Sequence, residues 1–146
     1  MTALILAAVL AGEIDAAGVQ RAVAAHKGRP VVVSLWATWC APCVAEFPDL
    51  VAFARDRPAV TVLSVSIDDP RDRPALEAFV AERRPPFPVY AKAPGADEAF
   101  IVGVDREWSG AVPAAIVFDR AGARVALLQG ERTRDELEKA VAKAGR

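Results

Sequence analysis

The chain has only two cysteines, and they stand three positions apart in Trp39-Cys40-Ala41-Pro42-Cys43. A dithiol at that spacing can alternate between two thiols and one intramolecular disulfide, and the chemistry runs through whichever sulfur ionises more readily. The flanking residues decide which. Val31-Val32-Val33-Ser34-Leu35-Trp36 reads as a strand buried on both faces, whereas Val44 to Phe53 places apolar residues at helical spacing. Cys40 therefore falls at a helix start, where unpaired amides and the positive end of the helix dipole stabilise a thiolate. We expect Cys40 to attack and Cys43, one turn deeper, to resolve the mixed disulfide.

Two plainer readings compete for the same pair. A structural bridge would close so short a loop that it would constrain the unfolded chain little. Zinc takes about four ligands, and with His26 as the only histidine the Cys and His residues of one chain cannot complete a closed site. Pro42 suits the first helical turn, where its missing N–H costs no hydrogen bond. Glu46 follows Cys43 by three residues and so shares its helix face. A carboxylate that tunes or deprotonates Cys43 and an ordinary acid favoured near a helix N-terminus both fit that position. Pro48, inside the same helix, is expected to kink it.

The rest of the chain must position that turn. With 146 residues, 53% of them apolar, it can bury one good core, and we read a single domain over residues 12–146. A formal net charge of −1 leaves no basic field of the kind nucleic acid requires. There is neither a G-x-G-x-x-G nor a P-loop, so no cofactor is expected and the cysteines form the whole redox centre. Ala3 to Ala11 is an apolar run with no Lys or Arg before it. It is too short to span a bilayer, and two readings stay open for residues 1–11: a truncated signal peptide or a first strand.

Asp15 reads as the N-cap of a helix to about Lys27, closed by Gly28 and Pro30. Val60 to Ile67 alternates as a strand, and Asp68-Asp69-Pro70 reads as an acidic cap starting the next helix, which ends near Arg83-Arg84. This β-α-β-α order implies parallel strands with helices on both faces, joined by right-handed crossovers. Phe87 to Ala91 reads as a short extended segment and Ala96 to Val102 as a short helix, an elaboration in mid-chain. Ala114 to Asp119 and Arg124 to Gln129 flank a glycine-containing turn as an antiparallel hairpin, and Thr133-Arg134-Asp135-Glu136 is a capping box for a last helix to about Ala144.

This series resembles the thioredoxin-like fold over nearly the whole chain: an α/β domain whose central mixed sheet is flanked by helices. Trp36-Ala37-Thr38-Trp39-Cys40-Ala41-Pro42-Cys43, with Glu46-Phe47-Pro48 and Leu50, is similar to the extracytoplasmic reductases of the TlpA/ResA group, the cytochrome c maturation type. That group carries an extra strand and helix in mid-fold, as the segment from Pro70 to Val104 allows. Ser34 stands where cytosolic thioredoxins have a buried aspartate, and a serine cannot shuttle a proton as a carboxylate can.

The resemblance implies several residue roles. Val112-Pro113 would form the cis-proline loop facing the cysteines, with Val112 backbone groups free to pair with an extended substrate. Trp39 and Pro42 would lie on the substrate-facing surface, with Trp36 there or in the core, and Glu46 would assist Cys43. It also implies protein-disulfide reduction outside the cytoplasm, with apocytochrome c as substrate, a membrane-bound thiol-donating partner and a monomeric protein. A cytoplasmic general thioredoxin, a disulfide oxidase of the same fold, and a non-enzymatic metal-handling module using both thiolates are the alternatives. A peroxiredoxin-like activity would need a peroxidatic cysteine in a separate loop.

Overall fold

The computed structural model describes residues 9–145. A short strand β1 (Gly12–Ile14) leads into α1 (Ala16–Ala25), capped by Asp15, whose carboxylate accepts the Gly18 amide at 2.7 Å. Then follow β2 (Val31–Trp36), α2 (Ala41–Asp56), β3 (Thr61–Ser66), α3 (Arg73–Arg83), β4 (Val89–Lys92), α4 (Asp97–Val104), β5 (Ala114–Phe118), β6 (Arg124–Gln129) and α5 (Arg134–Ala144). The strands form one six-stranded sheet in the order β1-β4-β3-β2-β5-β6. The pairs β1/β4, β4/β3 and β3/β2 are parallel, and β2/β5 and β5/β6 antiparallel, which is the mixed sheet the resemblance implies.

The central strand β2 explains the layering. Val32 and Trp36 point into one core, with Phe47, Leu50 and Phe53 of α2, Leu76 and Val80 of α3 and Leu137 and Val141 of α5. Val31, Val33 and Leu35 point into the other, with Val19 and Val23 of α1 and Phe100 and Val104 of α4. Each fully buried side chain of this kind contributes roughly 1.5–3 kcal/mol. Beneath the redox turn, Trp36 stacks against Phe47 and Phe79 with ring centroids 5.1 and 5.0 Å away. Trp36 is thus core, and its Nε1 donates to Ser64 Oγ at 2.6 Å.

Strand β3 is buried on both faces because helices cover each side of the sheet, as the β-α-β-α order implied. Two expectations are refined. Asp69, not Asp68, caps a single 3₁₀ turn at Pro70–Asp72 before α3, and α3 ends on Arg84 in the left-handed conformation. Phe87 to Ala91 is no mere extension: β4 is an interior strand between β1 and β3. Pro48 lies inside α2, which runs from Ala41 to Asp56. The apolar run at Ala3 to Ala11 falls mostly outside the described residues. Its last three residues carry no strand, and pairing begins at Gly12.

Candidate redox site

Strand β2 and helix α2 meet at Ala37-Thr38-Trp39, and a buried carboxyl holds that link in place. Asp68 accepts from the Thr38 amide at 2.9 Å, from Thr38 Oγ1 at 2.5 Å and, more closely still, from Ser66 Oγ. The parallel register explains the encounter. Trp36 pairs with Ser66, so Thr38 and Asp68 each lie two residues past the last paired position of adjacent strands. Three donors on one carboxyl, itself only 4% exposed, fix the chain that delivers Cys40 to the helix start.

Cys40 is the N-cap of α2, in extended conformation, and Pro42 lies in the first turn as expected. Its sulfur accepts the Cys43 amide at 3.3 Å, so one of the unpaired amides of the helix start is spent on it. Cys40 and Cys43 are joined as a disulfide with Cα atoms 5.2 Å apart. The Val112–Pro113 peptide bond is cis, and the Val112 carbonyl oxygen lies 3.7 Å from Cys40 Sγ. Residue burial does not separate the two cysteines, which are 5% and 4% exposed. Their surroundings do. Cys40 faces the Val112 carbonyl, whereas Cys43 borders a cavity the size of a single water, shared with Ser34, Glu46, Pro113 and Arg132.

Glu46 is brought to Cys43 as its spacing predicted, but it does not stand there alone. One carboxylate oxygen accepts the Arg132 backbone amide at 2.7 Å and the other pairs with the Arg132 guanidinium at 3.2 Å. That side chain is only 7% exposed. Burial pulls the guanidinium below its usual pKa while Glu46 pushes it back up, and it stays cationic because guanidinium does not deprotonate in proteins. Arg132 was invisible to the sequence reading: it follows Glu46 by 86 residues, in a loop with no local signal. Asp68 was misread for a related reason, since its role depends on strand register rather than on its neighbours in sequence.

Trp39 is 64% exposed beside the disulfide. The loop bearing Val112 is tied down at both ends. Trp108 Nε1 donates to the Ala111 carbonyl at 2.9 Å, the Gly130 amide donates to the Pro113 carbonyl at 2.9 Å, and Ser109 N donates to Gln129 Oε1 at 3.0 Å. Farther out, Arg124 holds the Asp105 carboxyl below the usual carboxylate range through a 2.7 Å hydrogen bond. His26 sits at the end of α1 with its ring against the Ala22 carbonyl, far in function from the sulfurs. No described helix is long and apolar enough to cross a membrane.

The chain is similar to known thiol-disulfide proteins. The chain is 32% identical over 114 residues to the thiol:disulfide interchange protein HelX of Rhodobacter capsulatus, covering 78% of this chain and 60% of HelX. It is 30% identical over 112 residues to the thiol-disulfide oxidoreductase ResA of Bacillus anthracis, covering 77% and 61%. It therefore spans about three fifths of the length of these relatives. Among solved structures, a DsbF homologue from Corynebacterium diphtheriae superposes with a TM-score of 0.68 at 28% identity, covering 83% of this chain and 75% of that one. The fold is thioredoxin-like. The family model described as AhpC/TSA matches residues 7–124, from before β1 to the start of β6, and the chain belongs to the AhpC/TSA family.

Proposed function

We propose that the protein is a thiol-disulfide oxidoreductase that reduces protein disulfides outside the cytoplasm, with roles divided between its two sulfurs. One observation carries the reading: Cys40 Sγ sits at the helix start, receives the Cys43 amide and faces the Val112 carbonyl of the cis-proline loop. In the reduced protein the Cys40 thiolate attacks one sulfur of a substrate disulfide. A mixed disulfide forms, and the other substrate sulfur leaves as a thiolate that takes up a proton. Cys43 then gives up its proton and attacks Cys40, releasing the second substrate thiol. Two electrons have passed to the substrate, and the protein is left with the Cys40–Cys43 disulfide seen here. A thiol-donating partner protein must reduce it again.

The Glu46–Arg132 pair lies where the second step needs help. A carboxylate beside Cys43 is suited to take its proton during resolution, and the cavity they share has room for one bridging water. Val112 offers backbone groups to an extended substrate, Pro113 shapes the loop that presents them, and Trp39 and Pro42 flank the approach to Cys40. The extracytoplasmic and cytochrome c assignment is supported by likeness to HelX and ResA and by Ser34, which stands where cytosolic thioredoxins have an aspartate.

The test is to trap partners with Cys43→Ser in the native host. Disulfide-linked complexes should accumulate and contain exported proteins, with c-type apocytochromes or their maturation partners among them. Complexes made only of cytosolic proteins would favour a general thioredoxin. Peroxide consumption by the purified reduced protein, with no exchange on protein disulfides, would replace the reading altogether.

A further inference from the structure

A recess of about 280 Å³ is lined in part by Trp39 of the redox turn. Its walls are Trp39, Ile67 at the end of β3, Phe100 and Ile101 of α4, and Trp108. Phe100 and Trp108 meet edge to face with centroids 6.3 Å apart. Gly110 closes the recess with a positive φ of 87°, and a Cβ there would lie 2.5 Å from Ile101 Cδ1, so the loop can approach α4 only through a glycine. Two of its lining residues adjoin the sulfur site along the chain. Trp39 is the residue before Cys40, and Gly110 belongs to the same loop as Val112.

We infer that this recess receives an uncharged aromatic or large aliphatic side chain of the polypeptide whose disulfide Cys40 attacks. The inference rests on the proposed function. Substrate must reach Cys40 along the Val112 backbone, and an extended chain advances about 3.3 Å per residue with side chains alternating between its faces. A residue two positions from the substrate cysteine therefore projects on the cysteine's own side, within reach of Trp39 and Gly110.

Charge selects what it is. The ammonium of Lys92 is buried at the base, paired with Asp97 Oδ1 at 2.8 Å and 5.8 Å from the Phe100 ring centroid. Its charge is already compensated. Asp97 is paired with Lys92 and Asp69 with Arg71 at 3.0 Å, so an incoming carboxylate or cation would each have to compete with an existing ion pair and would lose water without gaining a free counterion. An apolar side chain loses only its contact with water, against five apolar walls.

The test uses short peptides whose single cysteine carries a thionitrobenzoate disulfide, with Phe, Leu, Gly, Asp or Lys placed two residues before or after it. The reduced protein attacks the peptide sulfur and releases coloured thionitrobenzoate, which gives a second-order rate constant. Phe and Leu are expected to react at least about tenfold faster than Gly, with Asp and Lys no faster than Gly. Ile101→Trp, which fills the recess, is expected to bring the Phe-to-Gly ratio to about one. Rates within about twofold across the wild-type series, or Asp or Lys reacting fastest, would overturn the inference even if Ile101→Trp fails to fold. A folded Ile101→Trp that keeps the full ratio would overturn it as well. Reduction of hydroxyethyl disulfide with no reaction on any peptide would instead remove the polypeptide-substrate reading, and the recess with it.

Discussion

Two carboxyl groups flank the start of α2, and they are held in opposite ways. Asp68 meets only neutral donors, two from Thr38 in the link that carries Cys40 and one from Ser66 at the end of the neighbouring strand β3. Glu46 meets a guanidinium and faces Cys43 across a small cavity. The first carboxyl fixes where the attacking sulfur stands. The second, in the role we propose for it, sets the charge around Cys43. A buried acid near a reactive sulfur is thus a positioning residue or an electrostatic one according to the donors that meet it.

The sharpest way to break this contrast is Asp68→Ala. It strands one buried donor on Ser66 and two half-buried donors on Thr38, each worth roughly 1–3 kcal/mol when unsatisfied, though not additively, so we expect a loss of about 3 kcal/mol in urea unfolding. Alkylation of Cys40 in the reduced variant should also slow, because the loop before it is no longer fixed. A loss below about 1 kcal/mol with unchanged alkylation would show that Asp68 positions nothing.

Arg132→Met asks the corresponding question of the other side. It leaves Glu46 without its cation beside Cys43, with an expected loss of about 2 kcal/mol, below the range for fully buried pairs because Glu46 keeps some solvent contact. The unpaired negative charge also disfavours the Cys43 thiolate, so the resolution step should move to higher pH. In Arg132→Met/Glu46→Gln both charges are gone, so most of the stability should return, while the pH profile of turnover should stay altered because the carboxylate beside Cys43 is lost. A double variant as unstable as the sum of its parts would mean that the two residues do not act as a pair. Glu46→Gln alone leaves the Arg132 guanidinium buried without its partner, so it should cost stability on the scale of Arg132→Met and also change the pH profile of turnover; an unchanged profile would return Glu46 to an ordinary helix-start acid.

What the sequence disclosed follows the range of the interactions. The C-x-x-C turn, Pro42, the Asp15 and Thr133 caps and the β5–β6 hairpin are local patterns, and the structure bears them out. Glu46 was legible because a helix brings positions three apart onto one face. Arg132 was not, because nothing local ties the start of α5 to the middle of α2. Asp68 resembled a helix cap because Asp-Asp-Pro is a cap sequence, and only the pairing of Trp36 with Ser66 reveals that it bonds Thr38 instead. The cis bond at Pro113 came from family resemblance, since composition alone favours trans.

The smallest effect belongs to a third carboxyl, at the outer end of the Val112 loop. Asp105 hydrogen-bonds to Arg124, which depresses its folded-state pKa. A depressed carboxyl contributes stability above its unfolded value of about 3.9, and that contribution disappears as pH falls through the lower folded value. Asp105→Asn should therefore cost at most about 1 kcal/mol near neutrality and nothing in strong acid. A cost that persists undiminished at the lowest pH would assign it to lost shape rather than to charge.

The division of labour between the sulfurs is tested most directly by brief labelling of the reduced wild-type protein with limiting iodoacetamide near neutral pH, followed by peptide mapping. Cys40, at the helix start with an amide directed at its sulfur, is predicted to carry the label at least about tenfold ahead of Cys43, because its thiolate is the better populated. Cys43 labelled as fast as Cys40, or faster, would contradict the account.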